Sequence, residues 1–496
     1  MKRLFCNRVF ILSVCITASI ILWGIFGRDS MTFTVNMLMS FMRNYLSGFY
    51  LVIMLSFVIF ALVLACGRWG KIRLGRDDEK PEYGLVSWLS MLFGAGMGIG
   101  LVFWGVAEPL SHYLSPAEGT APQSQEAACF AFRSCFMHWT LHPWSCYAVM
   151  GLGLAYIQFR KNKPALVSNI LRPLLNTAGK HTHLKNTADI YTVVLTAVGV
   201  ASSFGIGCLQ VSSGLKQMFG IPDDVLTWMV LIILISVVYI YTAVTGVSRG
   251  VLAVSNLNMI LFFAMLILGF LAGSKRQMVG DLFLGVRNYL INFLPDSLRI
   301  HYNGDSVWIM KWRVYYWAWW IAWAPFVGIF IARISRGRTI REFILGVIGV
   351  PSVLSVLWFT VMGRLAISVS GSFGANELAL LTQQPEQVMF RIFRQYSWLG
   401  TVMSLVGLVL LVTFFITSAN SAVFVLAMST DGGSINPPNS LKIIWGVLVS
   451  ALALAMILAG GVATVQSLTI VFAFPYLFLL VLIGISMIKE LRKEKT

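Results

Sequence analysis

Hydrophobic positions in this chain gather into long runs, and short, mostly basic connections separate them. Twelve such runs reach the length of about 20 residues that crosses the apolar core of a bilayer. They lie near 9–27, 46–66, 84–113, 126–159, 188–214, 224–246, 250–273, 307–334, 342–369, 397–427, 441–460 and 464–488. Several exceed one crossing, so tilt or interruption is expected. The pattern predicts an all-α integral membrane protein of twelve transmembrane helices without an appended soluble module. Its longest polar connections are 67–83, 160–187, 274–306 and 370–396. Within the third of these, apolar residues at near-helical spacing over 281–298 predict an amphipathic helix ended by Pro295. It either lies along the outer membrane surface or packs on the bundle.

Composition narrows the class. Of 496 residues, 57% are hydrophobic and 11% charged, against roughly 25% charged in soluble domains, so a soluble enzyme is excluded. A net charge of +17 could suggest a nucleic-acid partner, yet the cations concentrate in alternate loops. They include Arg68, Lys71, Arg73 and Arg76; Arg160, Lys161 and Lys163; Arg333, Arg336, Arg338 and Arg341; and Lys489, Arg492 and Lys493. Positive charge in short loops marks the cytoplasmic side, which places both termini there. The basic residues Lys275, Arg276, Arg287, Arg299, Lys311 and Arg313 lie in one long connection, where that rule has less force. The run after Met1-Lys2-Arg3 is longer than a signal-peptide core and lacks a convincing cleavage site, so it reads as a retained span. Seven scattered cysteines without a C-x-x-C pair indicate neither a disulfide framework nor a metal site.

Candidate chemistry lies inside the spans. Six of the sixteen tryptophans fall between Trp308 and Trp323, and a second aromatic cluster holds Trp139, Trp144 and Tyr147. Aromatic faces hold cations without hydrogen-bond donors, which suits a quaternary ammonium group. On a continuous helix Trp139, Trp144 and Tyr147 would share one face, with Pro143 loosening the turn, and Trp320, Trp323, Val327 and Phe330 would share another. Each stripe taken singly also reads as ordinary core. The third run carries Gly94, Gly96, Gly98 and Gly100 at alternate positions around Met97. Such a run either lets another helix approach closely or unwinds and exposes backbone groups to a ligand. In the tenth, Thr417 and Ser418 either bond their own i−4 carbonyls or contribute oxygens to a small hard cation. Glu108 reads as an interfacial or helix-end residue, and Asp189 as a dipole partner near the start of its own helix. The cluster Arg333 to Arg341 is either topological or an inner gate. No H-E-x-x-H or G-x-S-x-G motif and no paired carboxylates occur in the spans, so no enzyme is expected.

Four stretches together resemble the betaine/carnitine/choline transporter (BCCT) family: Gly96-Met-Gly-Ile-Gly-Leu101, Met137-His-Trp-Thr-Leu-His-Pro-Trp144, Tyr316-Trp-Ala-Trp-Trp320 and Ala332-Arg-Ile-Ser-Arg-Gly-Arg338. The resemblance spans essentially the whole chain. It implies a LeuT-like core of two inverted five-helix repeats. The corresponding divisions are 1–83 (two N-terminal helices and a cytoplasmic loop), 84–273 (first repeat), 274–306 (outer helix and loop), 307–488 (second repeat) and 489–496 (short tail).

The same resemblance implies a substrate site of Trp139, Trp144, Tyr147 and Trp320 around trimethylammonium, with Trp323 and Phe330 on the cytoplasmic side of the pathway. Backbone at Gly96, Gly98 and Gly100 would meet the substrate carboxylate. A sodium site would use carbonyls of Gly94 and Met97 and hydroxyls of Thr417 and Ser418. Proton-coupled choline carriers have an aspartate where this chain has Gly100, which favours a carboxylate-bearing substrate. Sodium-independent carnitine exchangers have an arginine and a methionine where Asn258 and Val327 align, which favours sodium coupling. Thr196 and Val200 stand where some members have two threonines, leaving a second sodium site in doubt. The short tail gives no basis for the osmotic activation that longer basic tails provide.

The expected function is sodium-coupled import of glycine betaine or a related trimethylammonium carboxylate across a bacterial inner membrane. Sodium is the coupling ion and no other cofactor is needed. Expected partners are the quaternary ammonium substrate, membrane lipid and two further copies in a homotrimer, with no nucleic acid. The alternatives are a carnitine/butyrobetaine-type exchanger and, in another class, a non-transporting sensor or channel.

Overall fold

The computed structural model of the protein describes residues 7–96, 98–117, 119–175, 182–245, 248–300 and 306–494. Among these residues the regular structure is helical, apart from one isolated antiparallel bridge between Arg73 and Thr339. The described residues of each apolar run fall in helical segments, because a chain in hydrocarbon must satisfy its backbone groups internally. Among the described residues nine helical stretches are long and apolar enough to cross a membrane by length and composition.

Three interruptions position the interior. The glycine-rich run divides into Leu85–Gly96 and Ile99–Leu114, with Gly98 at φ −136°, ψ −149° between them. The second aromatic run divides at Thr140 (φ −116°, ψ −113°) into Gln125–Trp139 and Leu141–Ala155. Pro143 therefore does not loosen a turn between the aromatics. It sits in the first turn of the second piece, where a missing N–H costs nothing. The last interruption falls within Asn439–Leu491, where Gly461 has φ +63°, a region that favours glycine. It separates the two runs read as 441–460 and 464–488.

Other expectations change in detail. The connection after the first span forms a helix, Arg28–Tyr45, that buries Met31, Val35 and Met42 on one side. The outer amphipathic segment starts earlier than read, as Lys275–Ile291, and breaks at Asn292. Pro295 does not end it but lies in the first turn of Phe293–Leu298. This segment packs on the bundle: Asp281 takes an Nη2 bond of 2.5 Å from Arg364, and the Tyr289 and Thr140 hydroxyls lie 2.8 Å apart. Phe283, Leu290 and Leu294 on its other side are exposed. Asp189 lies within Thr182–Phe219 and accepts the backbone N–H of Ser168 at 3.0 Å. It serves a neighbouring short helix and not the start of its own, because that helix begins a further two turns upstream.

The basic loops converge on one face. Arg336 donates to Glu79 at 2.6 Å, Arg338 to the Tyr83 carbonyl at 2.6 Å and Arg341 to the Ala65 carbonyl at 2.7 Å. The arginine cluster is thus stapled to residues 65–83. Beside it an open polar cavity of about 680 Å³ is lined by Arg76, Asp77, Arg160, Lys161, Arg336 and Glu494, among others. There Glu494 accepts from Arg160 Nη2 (2.7 Å), Tyr156 (2.6 Å) and Lys161 (3.1 Å), tying the tail to the 156–161 segment.

The Arg160 guanidinium bonded to Glu494 holds its carboxyl far below the usual range, at about 2. A lowered folded pKa contributes stability above the unfolded value of about 4.3, and that stability is lost as pH falls through about 2. Glu494→Gln is therefore expected to free the tail at neutral pH by about 1 kcal/mol. Hydrogen exchange of residues 488–494 in membranes checks this. The wild-type tail should loosen on acidification toward about pH 2, and the variant should already be loose at pH 7.

Candidate functional site: an aromatic corner beside a broken helix

The Tyr315–Ile334 helix turns its tryptophans toward both halves of the interrupted Gln125–Ala155 segment. The Trp139 and Trp320 ring centroids lie 5.1 Å apart at 88°, and those of Tyr147 and Trp320 lie 5.5 Å apart at 73°. These near-perpendicular rings form a corner, which presents aromatic faces from different directions. Trp144 stands behind, packed edge-on against Tyr147 at 5.5 Å. The break at Thr140 means that no single helical face carries Trp139 and Tyr147. They meet because both pack on Trp320.

Hydrogen bonds fix the ring orientations. Trp320 Nε1 donates to the His138 carbonyl at 3.0 Å. The Ser203 hydroxyl accepts from Trp319 Nε1 (2.9 Å) and Trp323 Nε1 (3.0 Å), which occupies both of its lone pairs. Trp323 also reaches the Gly199 carbonyl at 3.0 Å. Trp323 is thereby joined to the 182–219 helix, while Phe330 lies partly exposed two turns further along. By contrast, Trp144 Nε1 and the Tyr147 hydroxyl are buried without a hydrogen-bond partner among the described residues. Buried donors of that kind are costly unless a ligand or water meets them.

Trp319, absent from the sequence-derived set, explains Gly100. A Cβ on Gly100 would stand 2.2 Å from Trp319 Cη2, whereas one on Gly98 would meet only Ser418 Oγ, at 3.4 Å. Gly100 therefore makes room for an indole, and an aspartate there would first displace Trp319. Gly98 brings the broken backbone to Ser418. Gly94 lies in the last turn before the break, where helical carbonyls lack intrahelical partners. Met97 lies outside the described residues, and Gly96 is the last residue of its helix. Thr417 bonds its own Thr413 carbonyl at 3.0 Å and receives Asn258 Nδ2 at 3.2 Å. The i−4 reading thus holds for Thr417, and the buried Asn258 leaves Oδ1 without a partner beside it.

Glu108 departs most from its reading. It is neither interfacial nor at a helix end, but fully buried inside Ile99–Leu114. Its Oε2 accepts Trp139 Nε1 at 2.8 Å and the Tyr316 hydroxyl at 2.5 Å, and its Oε1 lies 2.7 Å from His138 Nδ1. The signal was available: an acid in an apolar span marks a function by default. Its partners were not visible, being 30 to 208 residues away.

These contacts separate the two glycines experimentally. Gly100→Ala is expected to lower stability by about 1–3 kcal/mol through overpacking and to reduce uptake strongly. Gly98→Ala, facing ordinary contact only, should retain most of the stability. Thermal stability of the detergent-purified variants and uptake in vesicles check the contrast.

Residues 8–496 match the family model described as BCCT, betaine/carnitine/choline family transporter. The chain is 40% identical over 491 residues to the glycine betaine transporter OpuD of Bacillus subtilis, covering 99% of this chain and 95% of that one. It is 36% identical to the ectoine/hydroxyectoine transporter of Virgibacillus pantothenticus, covering 98% and 97%. It is 38% identical to glycine betaine transporter 1 of Vibrio parahaemolyticus, covering 88% and 84%. With apolar helices suited to a multi-pass membrane protein and matches along nearly its whole length, the chain belongs to the betaine/carnitine/choline family of transporters.

Proposed function

We propose that this transporter imports glycine betaine or a close trimethylammonium carboxylate by sodium symport. The carrying observation is the right-angled corner of Trp139, Trp320 and Tyr147 next to an interrupted helix. Each desolvated aromatic face contributes on the order of 1–2 kcal/mol toward a quaternary ammonium group. The carboxylate meets the free amides at the start of Ile99–Leu114, near Gly98 and Gly100, and the unpartnered donors of Trp144 and Tyr147. Carbonyls of Gly94 and Met97 and the hydroxyls of Thr417 and Ser418 hold the sodium in this reading, which the approach of Gly98 to Ser418 Oγ supports. Sodium binding favours the conformer that binds substrate, which couples the two.

The proposal includes twelve crossings in a LeuT-like 5+5 arrangement with the divisions given above. It also includes both termini on the cytoplasmic side of a bacterial inner membrane, and a homotrimer. The convergence of the basic loops on one face supports that orientation.

Uptake of labelled betaine, carnitine, butyrobetaine and ectoine into proteoliposomes, with and without a sodium gradient, tests the reading. Betaine is net neutral, so one co-transported sodium carries one charge, worth roughly 2.3 kcal/mol per 100 mV. Accumulation should follow both sodium and a potassium–valinomycin potential. Accumulation that ignores both and rises on preloading with carnitine would establish the exchanger instead, and binding without accumulation the sensor. Trp320→Leu should reduce betaine affinity by tenfold or more (~1.4 kcal/mol) without loss of insertion. Thr417→Ala with Ser418→Ala should raise the sodium concentration for half-maximal uptake.

A further inference from the structure

We propose that Glu108 is the counter-charge of the aromatic corner, an anion one indole removed from the ligand that sets its preference for a positively charged head group. The inference rests on the cage reading above and assigns a role to a residue outside the cage.

Three observations carry it. First, the carboxylate is wired to the cage wall, since Trp139 Nε1 donates to Glu108 Oε2 at 2.8 Å. An indole N–H bonded to an anion is a charge-assisted contact, and it shifts electron density onto the ring whose face meets the cation. Second, the charge is not cancelled by its histidines. His138 gives Nδ1 to Glu108, while its buried Nε2 has no partner. An imidazolium would leave a buried N–H unsatisfied there, so the neutral ring is favoured. His112 Nε2 lies 3.4 Å from Oε1, and neither of its buried ring nitrogens has a hydrogen-bond partner among the described residues. Third, the nearby buried cation does not pair with Glu108: Arg313 Nη1 bonds the Asp296 carbonyl and its guanidinium lies 5.4 Å from the Trp308 ring centroid, while its Nε and Nη2 have no hydrogen-bond partner among the described residues. A buried acid is expensive unless something compensates it. Three hydrogen-bonding neighbours, His138, Trp139 and Tyr316, meet its oxygens, and a cation in the corner would offset its charge.

A purely structural clamp, holding Trp139 and Tyr316 in place, predicts the same hydrogen bonds. The two roles separate by charge. Glu108→Gln can keep the bonds of the clamp: its oxygen accepts from Trp139 and Tyr316, and its amide donates to His138 Nδ1 in the other tautomer. That tautomer leaves a buried N–H at Nε2, a cost that falls on all ligands alike, so the preference between ligands and not the overall affinity reads the charge.

The experiment measures competition against labelled betaine by unlabelled betaine and by 3,3-dimethylbutanoate, which replaces the ammonium nitrogen with carbon. Tetramethylammonium, a cation without a carboxylate, is the third ligand. In Glu108→Gln the preference for betaine over 3,3-dimethylbutanoate should fall about tenfold. That is the scale of a unit charge acting across an indole's width at an effective dielectric of about 20. The change should appear in KM more than in the maximal rate, and tetramethylammonium should weaken with betaine. Glu108→Asp should retain the preference to within about threefold, since it keeps the charge. Equal weakening of all three ligands in Glu108→Gln, with the preference intact, would overturn the proposal and leave the clamp. Should Glu108→Gln fail to insert, Glu108→Met serves as the neutral variant, with the same expected loss. If the wild type itself shows no preference for betaine over 3,3-dimethylbutanoate, the cage reading fails first, whatever the variants do.

Discussion

A carboxylate without exposed surface needs donors, and Glu108 draws them from two neighbouring helices. The 125–139 helix supplies His138 and Trp139, and the Tyr315–Ile334 helix supplies Tyr316. In hydrocarbon no water can replace a lost partner, so the relative positions of these helices are tied to one another. The aromatic corner follows from that tie, since Trp139 is fixed by Glu108 and Trp320 by the carbonyl of the adjacent His138. The corner and the helix packing therefore depend on the same few bonds.

Around this knot the chain is broken where it must expose backbone. The interruptions at Gly98 and Thr140 lie within the two segments that hold Glu108, Trp139 and Tyr147. A continuous helix would occupy its own carbonyls and amides, leaving side chains as the sole means of holding a polar ligand. Thr140 shows how a break is tolerated without glycine: its hydroxyl bonds the Phe136 carbonyl at 2.6 Å and contacts the hydroxyl of Tyr289 from the outer helix. The outer segment is held in turn by the Asp281–Arg364 pair, so the cover over this region is anchored to the bundle.

The basic face has a different logic. Its arginines bond backbone carbonyls and acids of neighbouring loops, and Glu494 gathers Arg160, Lys161 and Tyr156 onto the tail. These groups border the large open cavity, whose lining is ionic and lacks an aromatic box. Cavity size alone would thus have drawn attention away from the site, because the aromatic corner is closed by its own packed rings.

Helix positions were legible in the sequence because length and apolarity suffice to define a span. The break at Gly98 was likewise legible, since alternating glycines weaken a helix locally. Aromatic character at Trp139, Tyr147 and Trp320 could be read as a cage in the same way, and the family resemblance named the partners. What the sequence left open depended on residues far apart in the chain. Glu108 looked peripheral because its position beside Pro109 resembles a span end, and only packing brings Trp139, His138 and Tyr316 to it. At Gly100 the missing side chain makes room for Trp319, more than two hundred residues later, which no local pattern shows. Asp189 serves a neighbouring helix for the same reason. Local pattern determines what is helical and apolar, since each residue meets that condition with its own neighbours. Which buried polar group answers which donor is decided by tertiary packing, because in a dry interior such groups must pair wherever the fold brings them together.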